Sequence, residues 1–334
     1  MSELMLVTGA GGFIGGHLVR DLLERGHRVR AVDKKPLDEW YQVFPDAENV
    51  VADLNDKDAC YRACAGGVSE VFNLAADMGG MGFIETHKAE CMLSVLISTH
   101  MLMAAKDAGT VSRFFYASSA CVYNADKQRD PRVTPLKEAD AYPAMPEDGY
   151  GWEKLFSERM CRHFREDYGL ETRVARFHNV YGPHGTWDGG REKAPAAICR
   201  KVIEAVETGR HEIEIWGDGN QTRSFMYIDD CLYGVDRITH SDIVEPLNLG
   251  SDELVTINGL VDIVESIAGV KLERRYNLNA PKGVNGRNSD NTLIRQKIGW
   301  APSISLREGL EKTYAWIHEQ YRAREAAGRA VARV

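Results

Sequence analysis

A chain of 334 residues is long enough to bury one large core or two of ordinary size. Its formal charge of −8, with no local basic patch, argues against a nucleic-acid partner, and no apolar run reaches the roughly 18 residues that cross a bilayer, so no membrane partner is expected. Seven cysteines (Cys60, Cys64, Cys91, Cys121, Cys161, Cys199, Cys231) are scattered, odd in number and free of C-x-x-C spacing; they predict reduced thiols rather than a disulfide frame or a zinc site, and the ten histidines show no metal-ligand spacing.

The first predicted strand is Leu4-Met5-Leu6-Val7-Thr8. Gly9-Ala10-Gly11-Gly12-Phe13-Ile14-Gly15-Gly16-His17 follows, then an amphipathic helix carrying Leu18, Val19, Leu22 and Leu23, then a second strand over Val29-Arg30-Ala31-Val32-Asp33. Gly9, Gly12 and Gly15 give the spacing G-x-x-G-x-x-G. In that pattern the first glycine permits a tight turn, the second lets a pyrophosphate approach the main chain, and the third lets helix and strand pack closely. Phosphate would sit at the helix N-terminus, around Phe13 and Ile14, on free N–H groups and a favourable dipole. Asp33, 18 residues past Gly15, ends the second strand; its carboxylate accepts hydrogen bonds from an adenosine ribose diol and repels a 2′-phosphate. The expected cofactor is therefore NAD, not NADP. The competing reading is a structural strand–helix–strand turn in which Asp33 only caps the next segment. A turn that begins at Gly9 leaves no room for a cleaved presequence, and a cytoplasmic location is expected.

Further along, Asn49-Val50-Val51-Ala52 reads as a third strand, and Asp53-Leu54 after it would meet the adenine edge, although aspartate also starts helices well. Strand-like and helical runs then alternate: 70–74, a helix near 89–108, 113–118, a helix over 150–167, and 171–176. Such alternation predicts an α/β fold, a doubly wound parallel sheet of the Rossmann kind with right-handed crossovers, whose ligands bind beyond the carboxyl ends of the strands. Residues 73–82, 118–123 and 177–185 fall there. The helix from Cys91 to Ala105 is apolar nearly all round, which predicts burial either wholly within one chain or partly against a second subunit. After Arg176 the rhythm becomes irregular. We read 1–176 as an NAD-binding domain, with a return segment near 225–250, and 177–334 as a smaller substrate-binding region. The tail from Tyr321 to Val334 reads as a fraying helix end with no assigned role.

Tyr150-Gly151-Trp152-Glu153-Lys154 places tyrosine and lysine four apart, on one face of a helix. A phenol with an unperturbed pKa of about 10 is a poor base. An adjacent ammonium and the positive charge of oxidised nicotinamide both favour the phenolate, so Tyr150 can take a proton from an alcohol while a hydride leaves to NAD. Ser119, ending the preceding strand, would hydrogen-bond the same substrate oxygen. Tyr-x-x-x-Lys by itself also describes an ordinary surface pair; downstream of a dinucleotide loop it resembles the pattern of extended short-chain dehydrogenases, over most of the chain. Two residues narrow the reading. Cys121, two positions past Ser119, points toward the same crevice, although a buried cysteine is usually a small hydrophobe. Lys193 is of a type most often solvated. Together they suggest a thiol and an ammonium on opposite faces of a sugar whose C–H bonds a neighbouring ketone has acidified.

The stretches 73–84 (Asn73 to Ile84), 114–121, 176–179, 189–197, 216–225 and 286–291 resemble those of the GDP-mannose 3,5-epimerase family and span nearly the whole chain. Gly149 and Trp152 around Tyr150, and Val122 to Asp126, depart from that family's usual pattern. The resemblance implies redox-neutral epimerisation of GDP-mannose at C3 and C5, through a C4 ketone, to GDP-L-galactose and GDP-L-gulose. Tyr150, Lys154 and Ser119 would run oxidation and re-reduction with tightly held NAD, and Cys121 and Lys193 would be the acid/base pair. Gly79, Ser119, Cys121, Tyr150, Asn179, Glu192, Lys193, Lys201, Gln221, Arg223 and Arg287 would hold the GDP-sugar, the two arginines on its diphosphate. The apolar helix over Cys91 to Ala105 is the ground on which a homodimer is expected. Competing functions are a 4-epimerase, a 4,6-dehydratase or a 4-ketoreductase acting on another nucleotide sugar, or a catalytically silent NAD-binding scaffold.

Overall fold

The computed structural model describes residues 3–281 and 283–331. In chain order the elements are β1 (Leu4–Thr8), α1 (Phe13–Glu24), β2 (Arg28–Asp33), β3 (Glu48–Val51), α2 (Lys57–Cys64), β4 (Val68–Asn73), α3 (Met81–Thr86), α4 (Lys88–Ala108), β5 (Arg113–Ser119), α5 (Asp148–Tyr168) and β6 (Thr172–Phe177). Beyond them come β7 (Val180–Tyr181), α6 (Ala194–Thr208), β8 (Glu212–Trp216), β9 (Thr222–Ser224), β10 (Met226–Tyr227), α7 (Ile228–Thr239), β11 (Leu247–Leu249), β12 (Leu254–Thr256), α8 (Ile257–Ala268), β13 (Glu273–Asn277), β14 (Gly286–Arg287), α9 (Thr292–Ile298) and α10 (Leu306–Val331). The expected tail helix is seen as far as Val331; 332–334 lie outside the described residues.

Seven strands form one parallel sheet in the order β11-β6-β5-β4-β1-β2-β3. Both faces of a parallel sheet are covered at its centre, where β1 is buried along its whole length, whereas the edge strand β3 is exposed or half-buried. Alternate residues serve opposite layers. Met5 and Val7 join Leu18, Val19 and Val235 of α1 and α7, while Leu4 and Leu6 join Cys60, Met101 and Cys161 of α2, α4 and α5. The first apolar layer runs unbroken into Ile198 and Val202 of α6 and Leu260 and Val264 of α8. Smaller sheets beside it pair β12-β9-β14 and β13-β8.

The alternative that α4 is buried wholly within one chain is corrected by the structure. Its inner face buries Cys91, Ile97, Met101 and Leu102, whereas Met92, Leu93 and Leu96 are exposed. A helix apolar all round has only one sheet to pack on, and the other side stays uncovered.

A buried ion pair fixes α5 against the sheet. Arg176 on β6 donates two parallel hydrogen bonds to Glu158, from Nε to Oε1 at 2.9 Å and from Nη2 to Oε2 at 2.7 Å, and the Ser118 hydroxyl on β5 donates to Oε1 at 2.5 Å. The fork geometry satisfies both charges in an interior that would otherwise penalise them. It brings the N-terminal half of α5, with Tyr150 and Lys154, to the carboxyl end of β5.

Candidate active site

β1 ends at Thr8 and the chain reverses at Gly9, whose φ of +71° favours glycine. The Gly12 N–H donates to the Gly9 carbonyl at 3.0 Å. A Cβ placed on Gly15 would lie 2.2 Å from the Gly9 oxygen and 2.8 Å from Ala10 Cα, so only glycine lets α1 approach the turn. The first amides of α1, at Phe13 and Ile14, follow directly, and the first amides of a helix have no intrahelical acceptor. Asp33, buried at the end of β2, accepts from the Gly11 N–H at 3.1 Å and the Lys35 N–H at 3.0 Å. It therefore does more than cap the next segment: it ties β2 to the glycine turn, and each oxygen keeps lone-pair capacity for a ribose hydroxyl. Asp53 is exposed beyond β3 and accepts from the Asn55 N–H at 2.9 Å, while the Leu54 side chain is buried in the core. A cradle that a Cβ would fill, opposite a carboxylate, fits the pyrophosphate and adenosine of NAD.

Tyr150 and Lys154 are both buried, which removes the surface-pair reading. Ser119 lies beside the Tyr150 hydroxyl and favours its phenolate. Burial first, then the nearby Cys121 and Glu153, push its phenol well above the usual tyrosine range, and Ser119 opposes them. The Lys154 ammonium donates to the Ala117 carbonyl at 3.1 Å, pairs with Glu153 Oε1 at 3.3 Å, and lies 5.6 Å from the Tyr150 ring centroid and 4.8 Å from that of Tyr116.

Cys121 reaches the crevice, but not by strand parity. β5 stops at Ser119, and a single 3₁₀ turn over Ala120–Val122 folds the thiol back, with the Cys121 N–H donating to Ser119 Oγ at 3.2 Å. Gly151 makes the approach of α5 possible: a Cβ there would stand 2.3 Å from the Cys121 carbonyl oxygen. Lys193 is the N-cap of α6, at the end of the loop from Gly189. That loop is held by the Gly80 N–H donating to the Arg191 carbonyl at 3.0 Å and by the Arg191–Asp77 ion pair at 3.1 Å. Enclosure lowers the proton affinity of Lys193, and a charge on Cys121 would raise it, so the two groups are within electrostatic reach.

All eleven residues assigned to the sugar nucleotide line one cavity of about 240 Å³. Within it Asn179 adopts a φ of +32° and donates to the Ser224 carbonyl at 3.1 Å. Glu192 pairs with Arg200 at 3.1 Å, Lys201 donates to the Glu214 carbonyl at 2.8 Å, and Gln221 donates to the Trp216 carbonyl at 2.7 Å. Gly79 leaves no space for a side chain, since a Cβ would meet Phe83 at 2.9 Å. Arg223 donates to the Val284 carbonyl at 2.6 Å, and burial lowers its pKa to about 10. Arg287, expected on the diphosphate, donates to the Cys121 sulfur at 3.6 Å and to Gln128 at 2.7 Å, and pairs with Glu147. Sequence reasoning missed Glu147, the partner of Arg287, and gave no role to Glu153, the partner of Lys154, or to Trp216 on the cavity wall; no periodicity marks contacts between distant loops. Among the described residues no cluster of His, Cys, Asp or Glu could hold a metal ion.

A doubly wound sheet with a glycine cradle, an acidic residue ending the second strand and a buried Tyr–Lys pair defines an extended short-chain dehydrogenase fold. Comparison with known proteins agrees. Residues 5–250 match the model of the NAD dependent epimerase/dehydratase family, and the chain belongs to that family. It is similar to GDP-mannose 3,5-epimerase 1 of rice (Oryza sativa subsp. japonica), with 50% identity over 96% of this chain and 83% of that one. Similarity to GDP-mannose 3,5-epimerase of Arabidopsis thaliana is also 50%, over 96% and 84% of the two chains. Among solved structures, UDP-glucose 4-epimerase from Thermotoga maritima with UDP-glucose superposes with a TM-score of 0.85 at 26% identity, covering 95% of this chain and 99% of that one.

Proposed function

We propose that the protein epimerises GDP-mannose at C3 and C5, giving GDP-L-galactose and GDP-L-gulose through a C4 ketone. NAD, held by the glycine turn and Asp33, would supply the hydride acceptor and donor that oxidation and re-reduction at C4 require. The chain supplies the rest. Tyr150 as phenolate takes the C4 hydroxyl proton and returns it at the end, Ser119 hydrogen-bonds the C4 oxygen, and Lys154 supports the phenolate charge. A C4 carbonyl acidifies the C–H bonds at C3 and C5. Cys121 and Lys193 remove and return those protons from opposite faces of the ring, so each inversion is a proton exchange with no net redox change. The glycine turn, Asp33 and the Asp53-Leu54 segment hold the dinucleotide.

The observation that carries this reading is the placement of Cys121 and Lys193 on the wall of the cavity that also holds Tyr150 and Ser119. A 4-epimerase has no use for a second acid/base pair. Incubation with GDP-mannose in heavy water is the test: deuterium at both C3 and C5 is expected, and its absence at both overturns the proposal. A dehydratase would release water from the product, and a reductase would consume added NADH.

Residues 1–176, completed by 225–250, form the NAD-binding part in this reading, and 177–334 the substrate part; pairing of β11 with β6 supports the return segment. The protein is a homodimer through α4 and α5. Exposed Met92, Leu93 and Leu96 beside exposed Trp152 and Phe156 support that interface. Seven cysteines without a disulfide among the described residues support a cytoplasmic location.

A further inference from the structure

Glu153 is a buried carboxylate on the catalytic helix that the proposed chemistry does not use. Only 2% of it is exposed. Its Oε2 accepts from the Ser157 hydroxyl at 3.2 Å and the Tyr116 hydroxyl at 3.5 Å, and its Oε1 faces the Lys154 ammonium at 3.3 Å. Neighbours in a helix diverge around the axis, yet one Lys154 ammonium both faces Glu153 and donates to the Ala117 carbonyl at 3.1 Å. The Glu153 carboxylate is thus the counterion of the Lys154 ammonium.

Few charged groups surround Tyr150. Burial pushes Tyr116 on β5, Cys91 on α4 and Cys161 on α5 upward, so these three stay neutral. Asp77 pairs with both Arg191 and Lys34 beyond Cys91, and Cys121, Lys193, Arg223 and Arg287, the last paired with Glu147, stand on the remaining cavity wall; none of these changes with the redox state of a cofactor. Lys154 and Glu153 then contribute no net charge. An oxidised nicotinamide ring adds one positive charge to the crevice and a reduced ring adds none.

We propose that Glu153 is a positioning residue for charge: it offsets the Lys154 ammonium, leaving the redox state of the nicotinamide to decide whether Tyr150 holds its proton. Tyr150 is then a phenolate when an alcohol must be deprotonated and a phenol when an alkoxide must receive its proton. With a neutral residue at 153 the lysine charge would stand uncompensated in both states, and Tyr150 would stay ionised when it should donate.

The proposal rests on Tyr150 as the proton acceptor, and its test needs no sugar. Tyrosinate absorbance of the NAD-loaded protein is titrated, with Tyr150→Phe variants as the blank for the other tyrosines. Glu153→Gln, which keeps shape and hydrogen bonds, is expected to move the Tyr150 midpoint to lower pH by about one unit or more, in the NAD and NADH forms alike. Glu153→Asp, which keeps the charge but shortens the arm, is expected to stay near the parent. An unchanged midpoint in Glu153→Gln overturns the proposal, and so does equal behaviour of Gln and Asp, which would mean shape alone matters. After sugar is added, Glu153→Gln is further expected to retain a larger fraction of its cofactor reduced. Full turnover by Tyr150→Phe would instead overturn the underlying reading of Tyr150.

Discussion

Lys193 shows what a residue gains from its surroundings. In water its ammonium would be useless as a base near neutrality; enclosure beside the cavity lowers its proton affinity, so the free amine exists at lower pH than for ordinary lysine. Proton exchange at the carbon it serves is therefore expected to fall as pH drops through that lowered pKa. Lys193→Gln should slow this exchange by about 10²–10⁴-fold, and Lys193→Arg should not restore it, because a guanidinium keeps its proton. Deuterium at C3 and C5, read separately by NMR, checks both. Cys121→Ala should likewise stop exchange at its own carbon while oxidation at C4 continues; loss of both would mean that the cysteine is structural.

At the scale of elements, the approach of α5 to the turn after β5 decides whether these residues meet at all. Gly151→Ala would drive a methyl group into the Cys121 carbonyl, and backbone must move to relieve it. Overpacking of this kind costs about 1–3 kcal/mol, and a displaced Tyr150 should lower kcat at least about tenfold while the fold persists. Steady-state rates alongside denaturant midpoints separate the two effects. The Arg176–Glu158 pair is the other constraint on α5. Glu158→Ala leaves a guanidinium buried without its partner and is expected to cost about 3–5 kcal/mol in urea unfolding.

For the whole molecule, stability should peak close to neutrality, for reasons found far apart in the fold. His17 and His178 are buried and neutral, each with its pKa lowered to about 4, chiefly by burial. Against an unfolded value of 6.5, their contribution is complete above pH 6.5 and lost as pH falls toward 4, up to about 3 kcal/mol for each. His240 is the opposite case. Held by Asp236 and Glu70, its pKa rises to about 10, so its contribution is complete below pH 6.5 and lost as pH climbs through 10. Tm measured against pH should decline on both sides, and His240→Gln should flatten the alkaline side alone. The apolar face of α4 and α5 belongs to this scale too. Leu93→Glu combined with Phe156→Glu should leave a folded monomer by light scattering; an unchanged mass would remove that interface.

The glycine spacing, the acidic end of the second strand and the alternation of strand and helix were legible because each is a local pattern set by steric and periodic rules. They determined the sheet, the cofactor and the place of the crevice from sequence alone. Tyr150 and Lys154 were legible for the same reason, four residues apart on a helix. Local patterns say nothing about what closes over a crevice from 40 or 100 residues away. Only the tertiary structure turned Cys121 inward by a 3₁₀ turn rather than by strand parity, gave Arg287 to its sulfur, set Glu153 against Lys154, and left one face of α4 uncovered. Those outcomes depend on how loops and helices pack in three dimensions, which residue spacing along the chain does not encode.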